Sequence, residues 1–119
     1  MNHPGEISNQ RGARRRHLLF NLPVTDTASG AELGRVADIT TDGLQLITTV
    51  PVPVASHFRL CIRLPRHLDA TGELTLGAHS RYCRREPHSE YFTVGFEFDP
   101  APAADDQRIR YWIARYGVD

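Results

Sequence analysis

The chain contains no lysine, and all 14 of its basic residues are arginine, a bias that a GC-rich genome would explain without any function. Acidic residues balance them at a formal net charge of zero, which argues against bulk electrostatic attraction to DNA, RNA or a membrane surface. No apolar run approaches the roughly 20 residues that span a bilayer. The N-terminus also lacks the apolar segment of a secretory signal. The sequence therefore predicts a cytosolic (cytoplasmic) protein without membrane insertion.

Recognisable catalytic machinery is missing as well. The motifs GxSxG, HExxH, GxxxxGK(S/T) and a GxGxxG after a strand are all absent. Cysteine is scarce, and we expect Cys61 and Cys83 to stay reduced in a cytosol. The six histidines show no metal-ligand spacing and are interpreted as surface or loop residues. The sequence thus gives no reason to predict an enzyme, a metal site or a cofactor.

From Leu18 onward, short apolar stretches separated by turn residues are typical of an antiparallel β protein. Pro23 should make the first strand an edge or a bulged strand, and Asp42-Gly43 predicts a turn in which glycine takes a positive φ. Residues 1–10 lack apolar periodicity and are expected to form a flexible tail. The predicted strands cover about residues 18–25, 31–39, 44–49, 58–64, 73–84 and 91–98.

The last part of the chain has a different period. Residues 103–116 place Ile109, Trp112, Ile113 and Tyr116 at i, i+3, i+4 and i+7, which indicates one face of a helix. The sequence therefore predicts a mainly β domain: a six-stranded antiparallel closed or split barrel with one C-terminal amphipathic α-helix. The core should contain Leu60, Ile62, Val94, Phe96, Ile109, Trp112 and Ile113.

Two polar stretches stand out from this pattern. The first, at the junction between the tail and the first strand, contains Arg11, Arg14, Arg15 and Arg16. The second is the segment DITTDG at residues 38–43, between the second and third strands. Taken singly, each has an ordinary explanation, because a run of arginines is often a solvated tail and DxTxxG is good turn chemistry.

Together, the two stretches resemble the motifs of the PilZ family, RxxxR before the first strand and (D/N)xSxxG at a later strand end. Arg11 and Arg15 have the RxxxR spacing, while Asp38, Thr40 and Gly43 supply DxTxxG. The segment GFEF at 95–98 is similar to the family's penultimate strand. The resemblance covers about residues 11–117, so we predict a PilZ-like domain over residues 11–119. It implies the PilZ-type barrel and binding of cyclic di-GMP, with no other cofactor.

The ligand chemistry that the resemblance implies suits these residue types. An arginine fork meets guanine O6 and N7 bidentately, and it also pairs with phosphate. Asp38 could accept from the guanine N1–H and amino group, Thr40 offers a hydroxyl, and Gly43 allows close approach of the backbone. Arg14 and Arg16 flank the RxxxR pair, so the choice of arginines that meet the ligand stays open at this point.

Three functions are compatible with the sequence. The favoured one is a cyclic di-GMP receptor that signals to a separate effector protein through its arginine segment. The alternative is a PilZ-like adaptor that binds proteins and no nucleotide. A barrel for single-stranded nucleic acid is disfavoured, because the net charge is zero and the aromatic residues mostly alternate inward.

Overall fold

The structure is a computed structural model that describes residues 17–18, 21–67 and 71–118. The predicted tail (residues 1–10) and Arg11, Arg14, Arg15 and Arg16 lie outside the described residues, and their roles stay predictions. The elements in chain order are β1 (His17–Leu18), β2 (Pro23–Asp26), β3 (Glu32–Ile39), β4 (Gly43–Thr48), β5 (His57–Arg63), β6 (Glu73–Arg85), β7 (Phe92–Phe98), α1 (Ala103–Tyr116) and β8 (Gly117–Val118).

Six of the strands form a closed antiparallel barrel in the order β2-β3-β4-β7-β6-β5. The pairing of Val24 with Ile62 joins β2 to β5 and completes the circle. Closure satisfies the backbone groups that an open sheet would expose at its edges. The predicted fold, a six-stranded antiparallel barrel followed by one helix, is confirmed, and the barrel is closed rather than split.

The predicted extent of the first strand, residues 18–25, was wrong. That stretch is divided: β1 pairs with β8 in a separate two-stranded sheet, and the barrel strand begins only at Pro23. Proline has no N–H to donate to a ladder, so it is tolerated at the first residue of a strand or at a bulge. A register shift between Val24 and Thr25 confirms the expected bulge, but β2 pairs on both sides and is not an edge strand.

The barrel is filled by side chains that alternate inward along each strand, as the period of two dictates. On β6, for example, Leu74 and Leu76 are buried and His79 is exposed. Every predicted core residue is found there, with Ile113 partly buried against the rest. The buried apolar cluster comprises Leu22, Val24, Val36, Ile39, Leu44, Leu46, Val52, Leu60, Ile62, Leu64, Leu74, Leu76, Ala78, Val94, Phe96, Ile109 and Trp112.

Helix α1 packs its apolar stripe onto this core, and the Trp112 side chain is only 2% exposed. Arg108 covers the indole ring at 5.5 Å and donates to the hydroxyl of Thr71 and the carbonyl of Glu73, which fastens the helix to the start of β6. Asp105 and Asp106 lie in the first turn, where carboxylates favour the helix dipole. Among the residues that the structure describes, no helix is both long and apolar enough to cross a membrane.

Two β-bulges break the regular alternation close to one rim of the barrel. In β3 the register against β4 shifts between Val36 and Asp38, and in β6 the register against β7 shifts between Ser80 and Tyr82. A bulge inserts one residue and turns the following side chains to new directions. Beyond the second bulge, Cys83 packs against the core instead of Tyr82. The second bulge therefore places Tyr82 at the rim where the candidate site lies.

Candidate functional site

The DxTxxG segment forms a tight turn between β3 and β4, and the hydroxyl of Thr40 organises it. The Thr40 oxygen Oγ1 accepts hydrogen bonds from the backbone N–H groups of Asp42, at 3.0 Å, and Gly43, at 3.2 Å. The backbone N–H of Thr40 donates to the Gly43 carbonyl at 2.8 Å. Serine and threonine hydroxyls both support such turns. Threonine can therefore stand where the family motif has serine without loss of this turn.

Of the two reasons predicted for Gly43, a positive φ and close approach of the backbone, the structure supports the second, with a neighbouring strand as the approaching group. The expected positive φ is wrong, because among the described residues the glycines with positive φ are Gly30 and Gly72. A Cβ on Gly43 would lie 2.1 Å from the carbonyl oxygen of Phe96. That contact is with backbone, which cannot move aside as a flexible side chain can. Glycine thus allows β4 and β7 to approach closely at the mouth of the turn.

Asp38 and Thr40 are part of the barrel wall, with exposures of 6% and 7%. Asp38 pairs in register with Gln45 on β4. The amide of Gln45 in turn donates to the hydroxyl of Tyr82 on β6. The turn is therefore coupled across the sheet to the bulged part of β6. Of the motif segment, it is Asp42 that stands exposed at the rim.

A cleft of about 750 Å³ opens beside this turn. Its walls come from the DxTxxG turn, the bulged part of β6, the end of β7 and the first turn of α1. The volume falls within the roughly 300–1,000 Å³ that is usual for small-molecule sites. The structure therefore brings Thr40 and Gly43 of the predicted site to one cleft, while Asp38 lies in the wall behind it. The four predicted arginines are not described.

One wall of the cleft is the ring of Tyr82, which the sequence analysis did not single out. The ring rests on β7 at Gly95, where an added Cβ would lie 2.1 Å from ring atom Cε2. The guanidinium of Arg84 lies 4.6 Å from the ring centroid. An aromatic ring and guanidinium groups are surfaces on which a purine base can stack. The available signal was the glycine inside the GFEF strand, since such a glycine marks close approach of another group.

The described part of the cleft carries more carboxylates than cations. Asp42, Glu97, Asp99 and Asp106 line it together with one guanidinium, that of Arg81. Arg81 is already paired with Glu97, with its Nε donating to Oε1 at 2.7 Å. The fold brings these four carboxylates to one rim from separate segments of the chain, so sequence spacing does not reveal their grouping. Asp106 is likewise paired, with Arg110 Nε donating to its Oδ2 at 2.8 Å, so a dianionic ligand in this cleft needs positive charge beyond these paired arginines.

The interpretation of the histidines as scattered surface residues was incomplete. His57 and His79 are exposed, but they face each other across β5 and β6, and both hydrogen-bond to Asp99 after β7. The hydrogen bond from His57, with the charges of both imidazoles, holds the pKa of Asp99 below its ordinary value. Sequence spacing does not reveal this cluster, because its members lie on three different elements.

The closed barrel, the helix packed on its core and the polar cleft at its rim define a class of small β-barrel domains with one C-terminal helix. The sequence matches the family model described as PilZ domain over residues 9–115. The chain therefore belongs to the PilZ family. No curated protein matches the sequence.

Solved structures with the same fold share little sequence identity with this chain. The Bacillus subtilis inhibitor of motility, MotI/DgrA, is 22% identical with a TM-score of 0.71, covering 89% of this chain and 50% of its own. The K. pneumonia MrkH–c-di-GMP complex is 18% identical with a TM-score of 0.68, covering 86% of this chain and 50% of its own. The c-di-GMP-bound PilZ domain of Escherichia coli YcgR is 14% identical with a TM-score of 0.62, covering 86% and 88% respectively. The chain thus spans about half the length of the MotI and MrkH chains.

Proposed function

We propose that the chain is a receptor for cyclic di-GMP and holds the dinucleotide in the cleft beside the DxTxxG turn. The observation that carries the proposal is that this motif, in a chain of the PilZ family, forms one wall of a ligand-sized cleft. Structures of MrkH and of the YcgR PilZ domain with c-di-GMP, which share the fold, support it.

In this proposal the cations come from the arginine segment, Arg11 to Arg16. The described cleft has an excess of carboxylates, so the two phosphates of the ligand need these guanidinium groups for charge balance. The segment directly precedes β1, which pairs with β8 and lies next to β3 and α1. The six residues from His17 back to Arg11 can span roughly 20 Å when extended. A segment of that length can reach a cleft that lies within about 20 Å of His17.

The members of the two motifs then have distinct tasks. Arg11 and Arg15 present forks to guanine O6 and N7, and Arg14 and Arg16 add charge near the phosphates. Asp38 is the acceptor that the motif predicts for the guanine N1–H and amino edge, but it is only 6% exposed and does not line the cleft, so this contact requires the rim to rearrange when the ligand binds. The Thr40 hydroxyl is engaged by two backbone N–H groups, so we assign it to holding the turn rather than to contacting phosphate. Gly43 allows β4 and β7 to approach closely at the mouth of the cleft.

In this proposal the arginine segment also performs the signalling step. Ligand binding would draw the arginine segment over the barrel rim and change the surface that an effector protein contacts. Segments that become ordered on binding are suited to such switches. The effector is a separate protein in this proposal.

A titration of labelled cyclic di-GMP against the purified protein tests the receptor function, with GTP, cyclic AMP and a short oligonucleotide as competitors. Each bidentate arginine–guanine contact contributes roughly 1–3 kcal/mol, and about 1.4 kcal/mol is a factor of ten in affinity. Arg15→Ala and Arg11→Ala should each weaken binding roughly five- to a hundredfold. Arg15→Lys should recover little, because an ammonium group cannot make the forked contact.

Arg63→Ala is the matched control, since Arg63 lies on the outside of β5, paired with Glu73 at 3.8 Å, and does not line the cleft. Its affinity should equal that of the wild type. If both Arg11 and Arg15 prove dispensable while the wild type binds, the site assignment is wrong although the receptor function stands.

The second candidate is the adaptor function, a PilZ-like domain that binds a protein partner and no nucleotide. The four carboxylates that line the described cleft favour it, since they suit a cationic peptide segment even with Glu97 paired to Arg81 and Asp106 to Arg110. The same titration separates the two functions. Absence of saturable binding at high micromolar cyclic di-GMP would reject the receptor and leave the adaptor.

A further inference from the structure

A second polar cluster lies at the edge of the cleft, and the proposed nucleotide binding makes no use of its histidines. It consists of His57 at the start of β5, His79 in the middle of β6 and Asp99 just after β7. His57 and His79 are direct cross-strand partners, and their ring centroids are 4.8 Å apart. The backbone N–H of Asp99 donates to the carbonyl of Gly77 at 2.9 Å, which fixes the carboxylate above the two rings.

The donor atoms of the three side chains converge on one point. His57 Nε2 lies 2.7 Å from Asp99 Oδ2, and His79 Nδ1 lies 3.0 Å from Asp99 Oδ1. One ligand atom from each side chain can be chosen so that all lie within 4.8 Å of one another. Ligand atoms around a tetrahedral Zn²⁺ at 2.0–2.1 Å are about 3.3 Å apart. On binding an ion, the two hydrogen-bonded contacts would lengthen by about 0.3–0.6 Å, and the most widely separated donor atoms would approach by up to about 1.5 Å.

The chemistry of this donor set is selective. Two imidazole nitrogens and one carboxylate suit borderline divalent ions such as Zn²⁺, whereas Mg²⁺ and Ca²⁺ take oxygen ligands. Asp99 supplies the anionic ligand of the set, and the two histidines bind an ion as neutral imidazoles. The side chains of His57, His79 and Asp99 are 53%, 48% and 35% exposed, so an ion can reach them and keep an open position.

Gly77 is an independent observation that points to the same place. A Cβ at this position of β6 would lie 2.4 Å from Asp99 Oδ2 and 3.2 Å from His57 Nε2. Any other residue would therefore fill the space in which the three donors meet. Glycine inside a strand weakens it and marks close approach of another group. Here that group is the carboxylate with its two imidazole neighbours.

We propose that His57, His79 and Asp99 form a surface site for a divalent transition-metal ion of the Zn²⁺ type. The ion is held by three protein ligands from β5, β6 and the segment after β7, with a fourth position open to water or to a partner's side chain. Because Asp99 also lines the cleft, the bound ion adds positive charge at a rim that is otherwise rich in carboxylates. The site does not depend on cyclic di-GMP.

Metal binding to tag-free protein tests the proposal directly. Isothermal titration with Zn²⁺ should show a saturable site that is lost in both His57→Ala and His79→Ala. Co²⁺ serves as a spectroscopic probe, and the wild type should develop visible ligand-field absorption that these variants lack. Both side chains are exposed, and circular dichroism should show that the variants keep the fold.

Two further variants make the test specific. His88→Asn removes an exposed histidine outside the cluster, at a φ of 56° that asparagine adopts readily, and should bind Zn²⁺ like the wild type. Gly77→Ala keeps all three ligands but fills their meeting point, and it should lose the site. Zn²⁺ binding that survives in the double variant His57→Ala/His79→Ala, or the absence of saturable binding in the wild type, would overturn the proposal.

Discussion

Replacement of Thr40 by valine isolates the hydroxyl that holds the DxTxxG turn. Valine has nearly the shape of threonine and fits the same buried position, but it offers no oxygen to the backbone. Two N–H groups, those of Asp42 and Gly43, would lose their acceptor at 3.0 and 3.2 Å. The turn joins β3 to β4 and borders the cleft, so its loss should affect both stability and ligand binding.

The burial of the two donors sets the size of the effect. Asp42 is exposed, and its N–H can turn to water, whereas Gly43 is buried. A net hydrogen bond contributes about 0.5–1.5 kcal/mol, and a buried donor left without a partner costs about 1–3 kcal/mol. We expect Thr40→Val to lower the free energy of unfolding by about 1–3 kcal/mol. For a chain of this size, that corresponds to a fall in Tm of roughly 5–15 °C.

Thr40→Ser is the matched control, because it keeps the hydroxyl and removes only one methyl group. It should cost about 0.8 kcal/mol for the lost apolar burial and retain the ligand affinity of the wild type. Urea denaturation followed by circular dichroism measures both variants. A valine variant that is as stable as the serine variant would show that the hydroxyl does not hold the turn.

Two further predictions concern packing. Gly43→Ala should lower the free energy of unfolding by about 1–3 kcal/mol or more. The added Cβ would meet the Phe96 carbonyl and push β4 away from β7. Urea denaturation measures the loss. Trp112→Ala should lower the free energy of unfolding by about 3–5 kcal/mol, because the buried indole packs the helix against the barrel. Tyr111→Ala, on the exposed side of the helix, is the control and should have a Tm close to that of the wild type. Thermal melts of the two variants measure this difference, and an equal fall in Tm in both would contradict the assigned packing.

The regular parts of the fold could be predicted because the spacing of apolar residues along a strand or a helix shows which of its faces is buried. Leu60 and Ile62 point into the barrel, as their period of two requires, and Trp112 faces the core, as the helical period requires. The prediction failed where the strand geometry depends on a partner strand. The bulge before Tyr82 inserts a residue without any change in composition, so the register beyond it could not be read from alternation.

The candidate site also has a local part that could be predicted and a non-local part that could not. The DxTxxG turn is local, and six consecutive residues were enough to predict it, although the reason for Gly43 lies on β7 and was missed. The cleft and the cluster of His57, His79 and Asp99 are built from residues that lie far apart in the sequence. Asp99 meets His79 and His57 from 20 and 42 residues away, and only the register of the barrel strands brings them together.

The most direct test of the receptor function is a two-dimensional ¹H–¹⁵N NMR titration of the wild-type protein with cyclic di-GMP. Saturable shifts are expected in the amides of Asp42, Gly43, Tyr82 and Gly95, which border the cleft, and in those of the arginine segment at residues 11–16. The amide signals of Cys61 and Ile62, on β5, should not shift. Unchanged spectra at saturating ligand, or shifts confined to β5, would contradict the assignment of this cleft as the cyclic di-GMP site.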